Sequence, residues 1–318
     1  MPDLILHGGA PKTGTSFLQI LFARYADRLR ESGIIYPRGH LFDEASGGAV
    51  TSGNGVELAN FIRPGLPHKI LDKGSYLKKL DAELAHSRGK HVFYSSEFLL
   101  APPVEQTRAV VDAAARNGYR IRYIYFVRDL APAFLSFYSQ QVKRAGETRP
   151  FSEFITHWNA GYKSAVKQAI DSFGRENVEV YNYEEHRQRL ADMFFRDVLG
   201  ANFTPDENHV VNRSLTAQEL VLLGRMNLVF GKNRKQSKFA ADALTSVPVR
   251  NPEPLTVTPK EGELLQAKFR SDLEYINQVV IGRPVSVGKL SERRETALTD
   301  FEESMAALMS HLVATVVR

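Results

Sequence analysis

Leu4-Ile5-Leu6-His7-Gly8-Gly9-Ala10-Pro11-Lys12-Thr13-Gly14-Thr15-Ser16-Phe17-Leu18-Gln19 joins a short apolar run to a glycine- and proline-rich turn. Helical periodicity then follows through Phe17, Leu18, Leu21 and Phe22. The stretch reads as a strand, a loop and the start of a helix. Such a loop turns successive backbone N–H groups and the positive end of a helix dipole toward one point, which suits an anion of phosphate type. The plain alternative is a glycine-rich connection with no ligand.

Spacing narrows the choice. Gly9 and Gly14 fit the glycine skeleton of a Walker loop, but Thr15 follows Gly14 where a nucleotide triphosphatase needs lysine. The lysine stands earlier, at Lys12, placed to reach an oxygen bridging two groups. The hydroxyls of Thr13, Thr15 and Ser16 are placed to donate to terminal oxygens. On these residues, with Leu18-Gln19, the segment from Pro11 to Ser16 resembles the 5′-phosphosulfate loop of sulfotransferases that use 3′-phosphoadenosine 5′-phosphosulfate (PAPS). The resemblance implies an α/β fold of P-loop-like sulfotransferase architecture, a single domain with a central, mainly parallel sheet flanked by helices. It also implies donor binding by Pro11, Lys12, Thr13, Gly14, Thr15, Ser16 and Phe17. Phe17 takes the place of a family tryptophan that packs on adenine.

A second element agrees. Arg122-Tyr123-Ile124-Tyr125-Phe126-Val127-Arg128-Asp129 reads as a buried strand ending in an arginine, and Ala133, Phe134, Phe137 and Tyr138 follow at helical spacing. Ser136 lies on that helix. Arg128 and Ser136 resemble the family's 3′-phosphate site, an arginine at a strand end and a serine eight residues later. Leu130 departs from the proline common in the family.

The 318 residues are enough for one large α/β domain, with the motifs in 3–200 and helices in 201–318. Hydrophobic content of 43% and charged content of 24% fit a globular protein, and no run approaches the roughly 18 apolar residues of a membrane span. The first strand begins at residue 3 or 4, which leaves no room for a signal peptide or anchor; a cytoplasmic, bacterial enzyme is expected. With no cysteine, disulfides, thiolate catalysis and cysteine-bound metals are excluded. The net charge of +5 is mild. Its densest basic cluster, Lys232, Arg234, Lys235 and Lys238, is one short segment without aromatic interleaving, so no nucleic-acid partner is expected.

Along the chain, a helix is predicted from Thr15 to about Arg30, ended by Gly33, with Ile34-Ile35 extended. Residues 38–56 read as a polar loop carrying His40, an alternative proton acceptor. After a helix from Leu71 to about His86, His91–Ser95 reads as a strand whose end carries Ser96-Glu97, on the rim where parallel sheets bind ligands. Cytosolic relatives acting on small molecules have a catalytic histidine here; Glu97 resembles the glutamate base of carbohydrate sulfotransferases. The competing role for Glu97 is a carboxylate near a helix N-terminus.

Helices are predicted for 104–116, after the Arg128 strand to about Ala145, for 151–158 and for 162–173. Trp158 is assigned to packing. The run 178–185 resembles the family strand whose tyrosine lies near adenine, which would be Tyr183. Thr216-Ala217-Gln218-Glu219 opens a helix with a capping box. Residues 231–258 read as a flexible loop, and helices follow, the last from Leu298 to Val317.

The reading is a sulfotransferase moving a sulfuryl group from PAPS to an acceptor hydroxyl of a carbohydrate or glycolipid, without metal. Lys12 and Glu97 are catalytic, and 3′-phosphoadenosine 5′-phosphate is the product. The alternatives are a P-loop kinase or NTPase, with Asp129 on magnesium, and a non-catalytic module binding PAPS or nucleic acid.

Overall fold

The computed structural model describes the chain apart from residues 64, 66–71, 101, 207–213, 232, 250–252, 293–298 and 318. Among the described residues six strands form one sheet: β1 (Asp3–Gly9), β2 (Ile34–Ile35), β3 (His91–Ser95), β4 (Arg120–Val127), β5 (Val178–Asn182) and β6 (Val280–Ile281). Their order is β2-β3-β1-β4-β5-β6, and every pairing is parallel. The protein is therefore α/β with a parallel sheet and helical crossovers.

All seven residues of β1 are buried, as a central strand covered on both faces must be. The register sets His7 beside Ser95 of β3 and Gly9 beside Phe126 of β4. The chain crosses β1 between β3 and β4, so the order switches there. Crevices at such switch points, beyond the carboxyl ends of strands, are where open α/β sheets bind ligands. Beneath lies an aromatic core in which Phe22, Phe93, Phe126, Phe194 and Phe195 are fully buried.

The described chain divides into two compact units interleaved in sequence. Met1–Asp129, Gly161–Glu207 and Arg270–Ser286 form the unit that contains the sheet; Leu130–Ala160, Asn208–Phe269 and Val287–Arg318 form a helical unit. In the helical unit the buried Asn227 donates to the carbonyls of Val142 and Glu147 and accepts from Ser237. Trp158 packs against Phe134 and Phe269, ring centroids 5.3 and 5.1 Å away.

Several boundaries differ from the sequence reading. The first helix is two, Thr15–Arg24 and Ala26–Glu31, because Tyr25 leaves helical geometry (φ −100°, ψ 17°). Its ring lies against Phe203 and Phe195, partners from far along the chain. Residues 38–56 contain a short helix, Phe42–Ser46. β5 stops at Asn182, whose side chain accepts from the Glu184 N–H (3.1 Å) and turns the chain into the helical turn Tyr183–His186.

The largest correction falls in 231–258, where a helix runs from Arg234 to Ser246. Asn233 caps it, and its buried face is Gln236, Ser237, Ala240 and Ala241; the segment does alternate at helical period, but its basic, polar composition reads as a loop. Lys232, Leu71 and Leu298, named in the sequence reading, lie outside the described residues. No helix among the described residues is long and apolar enough to cross a membrane.

Candidate active site

The ends of β1, β3, β4 and β5 present four pieces of chain along one rim of the sheet unit. After β1, the loop reaches Gly14 in left-handed geometry (φ 78°), and the helix Thr15–Arg24 starts at the next residue. Glycine has no side chain with which to cap, so the first-turn N–H groups are left for an anion. A Cβ on Gly14 would lie 2.5 Å from Leu190 Cδ2 and 3.3 Å from Tyr183 Cε2, so the position demands glycine on both counts. Lys12 also takes positive φ (70°), alone among described residues other than glycine. Left-handed geometry costs such a residue about 1–2 kcal/mol, a strain that marks functional loops.

Thr13 differs from the sequence reading. It is buried, and its hydroxyl donates to the Ala10 carbonyl (2.8 Å), closing the loop on itself. The hydroxyls of Thr13 and Thr15 both turn over Gly9, where a Cβ would stand 2.7 and 2.9 Å from them. Pro11 and Lys12 are exposed; Ser16 and Phe17 are half-buried, and Phe17 packs on the aromatic core.

Glu97 opens the 3₁₀ turn Glu97–Leu99 directly after β3. The residue as a whole is exposed. Burial raises its pKa, and the Lys12 charge pulls the opposite way. The turn is held from Ser96, whose hydroxyl accepts from the Phe98 N–H (3.2 Å). The structure thus sets the candidate base within the field of the loop lysine. The helix after Pro103 begins separately, at Val104.

Arg128, after β4, is buried and fully engaged on one edge. Its Nε donates to Glu184 Oε1 (2.5 Å), its Nη1 donates to the Lys12 carbonyl (3.3 Å), and the guanidinium lies 5.0 Å from the Tyr183 ring centroid. Arg128 therefore ties the loop apex to the end of β5. Glu184 belongs to a quoted sequence run yet received no role there, since nothing local in a Tyr-Glu-Glu string tells which strand end it will meet. Asp129, next along, is 2% exposed. It accepts from Asn182 Nδ2 (3.1 Å), from the Ser286 N–H (3.0 Å) and from Arg283 Nη2. These bonds absorb the carboxylate that a kinase reading would place on magnesium.

No protein-family model matches the chain, and no curated protein does. Among solved structures the chain is similar to a sulfotransferase from Alicyclobacillus acidocaldarius, at 20% identity over 78% of this chain and 98% of that one, TM-score 0.40. It is also similar to the sulfotransferase domain from the curacin biosynthetic pathway, at 14% identity over 85% of this chain and 98% of that one, TM-score 0.36. Both scores are low, and the functional reading rests on the chain's own residues.

Ser136 is on the helix Leu130–Gln140 of the helical unit. His40 bonds through Nδ1 to Glu57 Oε1 (3.0 Å), while Lys79 Nζ donates to Glu57 Oε2 (2.6 Å). Burial alone would raise the Glu57 carboxyl, but the hydrogen bonds from Lys79 and His40 bring it below its usual value, and His40 already has a carboxylate partner. Tyr183, expected near adenine, stands over Gly14 and beside Arg128.

Proposed function

We propose that this chain is a sulfotransferase that moves the sulfuryl group of PAPS to an acceptor hydroxyl, on a carbohydrate or glycolipid. The observation that carries the reading is the pairing, across the switch point of a parallel sheet, of an anion-shaped loop bearing Lys12 with a carboxylate, Glu97, whose pKa is raised yet which feels the Lys12 charge. An anion loop alone fits many ligands. A proton acceptor beside it fits transfer to a hydroxyl.

In the proposed reaction the acceptor oxygen attacks sulfur in line, and the bond from sulfur to the bridging oxygen breaks. The acceptor proton passes to Glu97 as attack proceeds. The electron pair leaves with the 5′-phosphate, whose growing charge meets the Lys12 ammonium and the N–H groups of Thr13, Gly14, Thr15 and Ser16. Arg128 is the proposed holder of the 3′-phosphate, and Phe17 and Tyr183 are the proposed aromatic partners of adenine. The donor is a substrate, and the chain supplies positioning and charge.

The test is a melting comparison followed by turnover. With EDTA present, 3′-phosphoadenosine 5′-phosphate at about a hundred times its dissociation constant should stabilise the protein by about 2.7 kcal/mol. Labelled sulfate from PAPS should then appear on a sugar acceptor. Stabilisation by magnesium-ATP alone would refute the reading.

A further inference from the structure

We propose that His7 is a positioning residue for the Glu97 carboxylate, acting through Ser95 at the end of β3. The proposal rests on the reading of Glu97 as the base. His7 sits on β1, one residue before the glycines of the anion loop, and is completely buried. Two of its atoms grip the two residues that precede Glu97. Its Nδ1 lies 2.9 Å from Ser95 Oγ, and its backbone carbonyl accepts from the Ser96 N–H (3.0 Å).

The rest of Ser95 is held from two other directions. Its N–H donates to Asn54 Oδ1 (2.8 Å), and its carbonyl accepts from the Gly55 N–H (3.0 Å). Its hydroxyl oxygen has a long contact from Gln19 Nε2 (3.5 Å), on the helix that opens at the anion loop. β1, that helix and the 53–55 segment therefore converge on one serine, and Glu97 is two residues further on. The loop that carries Lys12 and the turn that carries Glu97 share one buried polar junction.

Chemistry at the junction argues against simple filling. The imidazole is enclosed by Phe22, Phe93, Phe126 and Phe194, the last with its centroid 4.7 Å away. His7 Nε2 and Gln19 Oε1, both buried, have no hydrogen-bond partner among the described residues. Buried polar atoms without partners are unfavourable, and an apolar side chain among these rings would avoid that cost. What an apolar side chain lacks is a hydrogen-bond partner for Ser95 Oγ. Ser95 Oγ and His7 Nδ1 share one buried hydrogen bond, and the imidazole tautomer sets which of the two donates. Burial holds the imidazole pKa down to about 3, so the ring stays neutral at any working pH.

The experiment uses the whole chain and reads Glu97 directly. Carbon-13 NMR of glutamate-labelled protein follows the Glu97 carboxyl through a pH titration, its signal assigned by its loss in Glu97→Gln. Ser95→Ala removes a single oxygen and His7→Phe fills the ring cage; melting curves check that each variant is folded. If His7 and Ser95 position the carboxylate, Glu97 in the variants relaxes toward solvent and its raised pKa falls toward the ordinary glutamate value. In the transfer assay Ser95→Ala then loses about 10- to 100-fold in kcat with bisphosphate binding retained, and loses nothing further when added to Glu97→Gln. An unchanged Glu97 titration in folded Ser95→Ala overturns the proposal, and that variant decides the matter if His7→Phe fails to fold. The titration needs neither donor nor acceptor, so it is independent of the sulfotransferase reading. That reading fails separately, by absent bisphosphate binding or by full acceptor turnover in Glu97→Gln.

Discussion

Replacing Lys12 separates what its backbone contributes from what its ammonium does. Its φ of 70° puts the β-carbon in left-handed strain, while Arg128 Nη1 holds its carbonyl at 3.3 Å. Lys12→Ala keeps the β-carbon and its strain; Lys12→Gly removes both. The strain is worth about 1–2 kcal/mol. Against this, the extra freedom of glycine in the unfolded chain takes back about 0.4–1 kcal/mol. Lys12→Gly should therefore be more stable than Lys12→Ala by up to about 1.6 kcal/mol, with a central value of about 0.8 kcal/mol. Every side-chain contact beyond Cβ is lost in both variants and cancels. Urea denaturation at fixed pH, read by tyrosine and tryptophan fluorescence, measures the difference as a shift in midpoint at constant slope. Sulfuryl transfer should fall in both by about 10²–10³, because each lacks the charge that meets the leaving oxygen. If the glycine variant proves the less stable of the two, the loop does not hold Lys12 in the left-handed region and the reasoning fails. Retained transfer in either variant would remove Lys12 from the chemistry.

Arg128→Ala should weaken 3′-phosphoadenosine 5′-phosphate binding by about tenfold to a hundredfold, the value of a charge-assisted contact, and adenosine 5′-phosphosulfate far less. Calorimetry with both ligands checks this, and equal losses would confine Arg128 to its contacts with Glu184 and the loop. Glu97→Gln should lower acceptor turnover by about 10²–10⁴ with donor affinity nearly unchanged. Since burial raises the Glu97 pKa, ionisation to the active base occurs at higher pH than for a free glutamate. The acid limb of the wild-type kcat profile should lie above the ordinary value of 4.5 and vanish in Glu97→Gln. The same sign holds for stability: a raised carboxyl pKa favours the fold at low pH, and the benefit is lost as pH rises through the folded value. Gly53→Ala should destabilise by about 3 kcal/mol or more, since Gly53 has φ 76° and a new Cβ would lie 2.1 Å from the Ser95 carbonyl oxygen. A melting temperature close to wild type would contradict that packing.

The strand, loop and helix from Leu4 to Gln19 were legible from residue order alone, because a buried parallel strand is a short apolar run and a left-handed turn needs glycine. The same local physics marked His91–Ser95, the strand ending at Arg128, and the capping box at Thr216, which the fold reproduces at Thr216 and Glu219. Placement of Glu97 after a strand end also followed from order, since parallel strands present their carboxyl ends on one rim. Contacts between distant segments had no such local mark. The Tyr25 break depends on Phe195 and Phe203, and the Arg234–Ser246 helix, though periodic, is so basic and polar overall that its composition reads as a loop. β6 is two residues long and exists because β5 offers it an edge. The tertiary structure alone decided that Glu184 would meet Arg128, that Asp129 would be absorbed by Asn182 and Ser286, and that His7 would meet Ser95. Each of these hydrogen bonds joins segments that strand order and register bring together, and a single sequence encodes that only through the whole fold.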